Sequence, residues 1–150
     1  MSEHIYKRHN KTLLLYHMVF PVKYRRKAIS EKVEETIVEI CKGISERYEI
    51  SFVEIGADDN HMHFLIQSVP KLSVDTIVRT VKSIIAKEIF RLHSEVKQIL
   101  WGGNFWTSGY YANTVGHYGN EELIKKYLQE QGKEKEYKQL YRGQLKLFDV

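Results

Sequence analysis

A single cysteine, Cys41, stands among 150 residues, which excludes an internal disulfide and a cysteine-rich zinc module. Proline is almost as scarce. The two present, Pro21 and Pro70, each close an apolar run instead of interrupting one. No apolar stretch approaches the roughly 20 residues that cross a bilayer, and the polar segment Met1 to Asn10 lacks the apolar core of a signal peptide. The chain is therefore expected to be soluble and cytoplasmic. Repeats, low-complexity tracts and linker-like stretches are also missing, so one domain over 1–150 is expected. A composition of 43% hydrophobic and 28% charged residues suits a globular domain with a proper core.

Charge is mildly positive, +4 at neutral pH, and its position says more than its size. Lys23-Tyr24-Arg25-Arg26-Lys27 sets four cations and an aromatic ring directly after an apolar strand. That pairing contacts phosphates while stacking a base, although a solvated surface turn also explains it.

Thr12 to Val22 reads as a buried strand ended by Pro21. Ser30, with Glu31, Glu34 and Glu35 behind it, marks the start of a helix running to about Tyr48. Val33, Ile37, Ile40, Cys41, Ile44 and Tyr48 form its apolar stripe, which places the lone cysteine in the core. Ile50–Ala57 and His61–Ser68 read as two strands joined by the turn Asp58-Asp59-Asn60. A second helix spans Ser73 to about His93, and Phe105–Val115 reads as a fourth strand with a bend at Gly109. Asn120 caps a last short helix carrying Tyr127 and Gln131, stopped at Gly132. This order, β-α-β-β-α-β and then a helix, predicts an α+β, ferredoxin-like sandwich with an antiparallel sheet and two helices on one face.

Residues two apart on a strand share a face, so His61 and His63 point one way and Met62, Phe64 and Ile66 the other. The apolar set should meet the helices and the histidines should stand on the open face. Two neutral imidazoles there form a bidentate metal clamp, which leaves the coordination sphere incomplete. Tyr127 and Gln131, four residues apart, share a helical face and can enter a site together as nucleophile and third ligand. A tyrosine suits strand transfer because its phosphate ester conserves the energy of the broken phosphodiester. Surface histidines and an ordinary packing tyrosine beside Leu123, Ile124 and Leu128 are the blander readings.

The strand ending Val19-Phe20-Pro21-Val22-Lys23-Tyr24-Arg25-Arg26, the Asn60-His61-Met62-His63-Phe64 strand, the Gly103-Asn104-Phe105-Trp106 turn and the Tyr127-x-x-x-Gln131 helix occur in one order along the chain. Together they resemble the single-tyrosine HUH transposases, small TnpA-type enzymes of insertion sequences that move as single-stranded DNA. The resemblance implies a Mg²⁺ or Mn²⁺ ion on His61, His63 and Gln131. It implies Tyr127 forming a 5′-phosphotyrosine, DNA hairpins at the element's ends as the ligand, and a homodimer that exchanges the tyrosine helix, with Gly116 and Gly119 as its hinge. Hairpin recognition fits a basic surface, and the cationic, aromatic pattern makes Lys23, Tyr24, Arg25 and Arg26 the candidate DNA contacts.

Other readings follow from the same residues. A replication initiator or relaxase of the same chemistry would normally carry further domains or a third histidine. A noncatalytic RNA-binding module would use the sheet and leave Tyr127 and Gln131 without a role. His17, on the first strand, is either a core or a substrate-contacting histidine; Asp58 and Asp59 are explained by the hairpin turn; Tyr110 and Tyr111 stack bases or pack the sheet.

Overall fold

The computed structural model describes residues 3–116. Tyr127, Gln131, His117 and the C-terminal tail lie outside the described residues, and with them the predicted last helix.

A small hairpin of β1 (Ile5–Lys7) and β2 (Asn10–Thr12) precedes β3 (Leu14–Pro21). A one-turn 3-10 helix (Lys23–Arg25) leads to α1 (Glu31–Arg47), then β4 (Ser51–Asp58), β5 (His61–Ser68), α2 (Val74–Leu92), α3 (Ser94–Ile99) and β6 (Tyr111–Val115). The main sheet has the order β4-β5-β3-β6 with every pairing antiparallel. Counted by its own four strands, that is the order second, third, first, fourth, with α1 in the first long crossover and α2 and α3 in the second. The ferredoxin-like expectation is met.

Both long helices begin where a serine side chain replaces a missing intrahelical partner. Ser30 Oγ accepts from Val33 N at 3.3 Å and Ser73 Oγ from Thr76 N at 3.1 Å, each cap contributing about 1 kcal/mol. Val33, Ile37, Cys41 and Ile44 of α1 and Ile77, Val78, Val81, Ile85 and Ile89 of α2 are buried. They form one core with Met18 and Phe20 of β3 and Met62, Phe64 and Ile66 of β5. Burial of each such side chain contributes roughly 1.5–3 kcal/mol. Cys41 is part of this core, and burial pushes its thiol pKa up to about 12, which leaves it inert. Tyr48 departs from the predicted stripe: it is the C-cap, in extended conformation, and has turned out of helical phase to 39% exposure.

Three differences from the sequence expectation bear on the site. The fourth strand is shorter than predicted, because Phe105 and Trp106 turn into the core and the chain pairs again only from Tyr111. Lys82 of α2 straps that irregular stretch down, its Nζ donating to Thr107 O at 2.8 Å and Gly109 O at 2.9 Å. The short β1–β2 hairpin and α3 were not predicted; the hairpin strands have three residues each and α3 has six, of which only Val96 is buried. The second face of the sheet is not open either. Leu15, Leu65 and Val115 form a separate buried cluster there, with Leu13 and Val53 against it.

Candidate active site and nucleic-acid interface

β5 lies between β3 and β4, so its first residue, His61, is opposite Pro21 on one side and Asp58 on the other. The turn before it is tight. Asp58 Oδ1 accepts from Asp59 N at 2.8 Å and Lys27 pairs with Asp59 at 3.7 Å, which bears out the reading of these aspartates as turn residues. Asn60 then fastens the corner: its backbone oxygen accepts from Val22 N at 2.8 Å, and its side-chain Oδ1 accepts from His61 Nδ1 at 2.7 Å.

The side-chain alternation is as predicted, with Met62, Phe64 and Ile66 in the helix-side core and His61 and His63 on the other face. The expected exposure is not. His61 is 0% and His63 2% exposed. On that face a second imidazole packs on His63. His17 of β3 stacks on it with ring centroids 5.4 Å apart and planes 19° apart, and His17 Nε2 lies 3.1 Å from His63 Nδ1. The His61 and His63 rings meet edge to face at 4.9 Å, and Tyr111 of β6 meets His17 edge-on at 6.2 Å. His17 is therefore a core histidine that touches a predicted site residue, and Tyr111 belongs to the same layer.

Burial removes water from these rings and disfavours their charged forms. His17 is pushed down to about 4, the nearby Asn113 side chain pulling weakly the other way. His63 is held well below the ordinary histidine value by burial first and then by its histidine neighbours. Both are neutral at physiological pH. The sign of the stability effect follows: the unfolded chain takes up protons near pH 6.5 and the folded chain does not, so stability falls as pH drops from 6.5 toward 4. From His17 alone the loss by pH 4 is about 3 kcal/mol. Urea unfolding at pH 7 and pH 4 should show it, and His17→Phe should flatten the slope.

Neutral imidazole is the form that binds a metal ion. Donation of Nδ1–H to Asn60 fixes His61 in the tautomer whose lone pair sits on Nε2. The same arrangement holds for His63 when its Nδ1–H donates to His17. Such second partners orient metal-binding histidines, so the pair fits a divalent ion. Among the described residues no group of three His, Cys, Asp or Glu side chains is placed to hold a metal, so this pair is part of a site.

Just beyond Pro21, the Lys23–Arg25 turn carries Tyr24 and Arg25 at positive φ, 57° and 53°. Tyr24 is 69% exposed. Lys23 Nζ lies 5.2 Å and the Arg26 guanidinium 5.8 Å from the Tyr24 ring centroid. Arg26 also has a structural duty, its Nη1 donating to Ile99 O at 2.9 Å. The predicted basic contacts thus share one turn beside the histidine end of the sheet. The sequence marks Asn60 only as a turn residue at the head of the histidine strand and does not mark Trp101 at all: nothing local reveals an asparagine that holds a histidine ring or distinguishes a tryptophan before two glycines.

The family described as "Transposase IS200 like" matches residues 10–131. The ISDra2 transposase TnpA of Deinococcus radiodurans is 27% identical over 118 residues, covering 79% of this chain and 84% of that protein. The transposase for insertion sequence element IS200 of Salmonella typhimurium is 28% identical over 123 residues, covering 82% of this chain and 80% of that protein. Among solved structures, a crystal structure from Deinococcus radiodurans R1 assigned as a transposase superposes with a TM-score of 0.69 at 24% identity, over 85% of this chain and 98% of that one. A REP-associated tyrosine transposase bound to a REP hairpin superposes with a TM-score of 0.58 at 12% identity, over 85% of this chain and 70% of that one. Both structural likenesses bear on the fold.

Proposed function

The chain belongs to the IS200-like transposase family, whose members are DNA strand transferases, and on that premise we propose that it cleaves and rejoins single-stranded DNA through a 5′-phosphotyrosine on Tyr127. The observation that carries this reading is the buried imidazole pair His61 and His63, with the Nδ1 atoms engaged by Asn60 and His17. In the proposed site these two rings and Gln131 hold Mg²⁺ or Mn²⁺. The ion, when bound, supplies charge neutralisation at the phosphate. Tyr127 Oη gives up its proton to solvent and bonds to phosphorus, the bond to the 3′-oxygen breaks, and that oxygen leaves as a 3′-hydroxyl after taking a proton from solvent. Rejoining is the reverse: a 3′-hydroxyl attacks the phosphotyrosine, gives up its proton and releases Tyr127.

Hairpins at the element's ends are the proposed ligand, in keeping with the hairpin held by the REP-associated neighbour and with the cationic turn at Lys23–Arg26. A homodimer that exchanges the Tyr127 segment across Gly116 and Gly119 is part of the same reading. Incubation with hairpin-bearing single-stranded DNA and Mg²⁺ tests it: a covalent protein–DNA species should survive a denaturing gel and vanish with chelator. If none forms under any divalent ion, the reading fails.

Asn60 gives a finer test. Asn60→Ala releases the His61 ring and should weaken Mn²⁺ binding about 10- to 100-fold in calorimetric titration. Asn60→Asp, which still accepts from Nδ1, should recover most of the affinity, and DNA binding should be unchanged in both.

A further inference from the structure

Two loops far apart in sequence bring exposed aromatic rings to one corner of the fold. Tyr24 is 69% and Trp101 72% exposed. The corner is rigid: Lys23 N donates to Phe105 O at 2.9 Å, and Arg26 Nη1 to Ile99 O at 2.9 Å, stitching the loops together. Both loops adopt unusual backbone conformations to hold their rings outward. Tyr24 and Arg25 are left-handed without being glycine, at a cost on the order of 1 kcal/mol or more each. Gly102 and Gly103, at φ 110° and 82°, make the sharp turn after Trp101. Such strain persists where the exposed arrangement is of use.

The Arg26 guanidinium lies between the rings, 5.8 Å from the Tyr24 centroid and 5.9 Å from that of Trp101. Beside it is a cavity of about 140 Å³, walled by Lys23, Tyr24, Arg26, Leu100, Trp101, Gly102 and Asn104 without a single carboxylate. Flat faces, fixed cations, one amide and no anion match a nucleobase with its phosphates. The corner also adjoins the histidine site. Pro21 pairs with His61, and three residues of chain place Tyr24 no more than about 11 Å beyond it.

We propose that this corner stacks one unpaired base of a single-stranded DNA segment, held on Trp101 and Tyr24, with Lys23 and Arg25 on the adjoining phosphates. The proposal rests on the strand-transfer reading and adds a base site a few nucleotides from the scissile phosphate. Trp106 is buried, with its indole N–H on Lys82 O at 3.2 Å, so changes in exposed tryptophan emission report Trp101.

Titrating the full chain with a short oligothymidylate should quench that emission, and a matched duplex should quench it far less. By fluorescence anisotropy of a dye-labelled oligothymidylate, a readout that does not need Trp101, Trp101→Ala should weaken binding about 5- to 150-fold, the equivalent of about 1–3 kcal/mol for one stacked base. Trp101→Phe should keep most of the affinity, Tyr24→Ala should weaken binding in the same way, and an abasic oligonucleotide should bind the native chain as poorly as the Trp101→Ala variant binds the intact one. Equal binding by Trp101→Ala, or equal quenching by duplex, overturns the proposal. Covalent adduct formation is scored on the same preparations. Adduct without quenching rejects the base site and keeps strand transfer; quenching without adduct does the reverse.

Discussion

Tyr127→Phe should form no covalent adduct with single-stranded hairpin DNA, and its cleavage rate should fall by about 10³ or more. The substitution removes one oxygen and keeps the ring, so packing and DNA binding should stay near native levels. The size of the loss follows from what the phenol does. Phenylalanine has no oxygen that can bond to phosphorus, so a residual reaction cannot come from a weaker form of the same nucleophile. It must come from a different one. The chain has ten tyrosines, and an adduct that persists in Tyr127→Phe would move the nucleophile elsewhere and break its link to Gln131. A phosphotyrosine ester also conserves the energy of the broken bond. Adduct isolated from the native chain should therefore join to an added 3′-hydroxyl strand without ATP, measured as a longer product on a denaturing gel.

What the sequence could foretell depended on how local the cause was. The β5 limits, His61–Ser68, agree with expectation because a turn and a proline frame an alternating run. Both helix starts agree because a serine side chain satisfies an N–H a few residues on. The face shared by His61 and His63 was legible from period two, whereas their burial was not. It depends in part on His17 from β3, whose ring stacks on His63 and which no pattern within β5 encodes. Phe105 and Trp106 fit a strand in isolation, but their side chains turn into the helix-side core and the chain keeps only a single bridge there, between Trp106 and Val22. Trp101 gains its meaning only when the fold sets it beside Arg26 and Tyr24. The pairing of Tyr127 with Gln131 falls outside the described residues, so chemistry has to test it.

Removing either imidazole of the pair should be nearly as damaging as removing the nucleophile, and the two substitutions should differ in side effects. His61→Ala and His63→Ala should each weaken Mn²⁺ binding by more than the 10- to 100-fold expected for an orienting partner, and metal-dependent cleavage should fall with it. Oligothymidylate binding should persist, because the corner formed by Tyr24 and Trp101 does not use these rings. Both histidines are buried, so loss of fold is the competing explanation. His63→Ala leaves His17 Nε2 without its partner at 3.1 Å and opens a gap beneath the stacked ring, which should cost about 1–3 kcal/mol of stability. His61→Ala leaves Asn60 Oδ1 without its donor at 2.7 Å but keeps the His17–His63 stack in place, and should cost less. Urea unfolding ranks the two variants by stability, and calorimetry ranks them by metal affinity. If affinity followed stability, the rings would be only structural. If both variants lost the ion while His61→Ala kept most of its stability, burial would be the means by which neutral, oriented nitrogens are kept for it. Normal cleavage by either variant would remove the clamp from the mechanism.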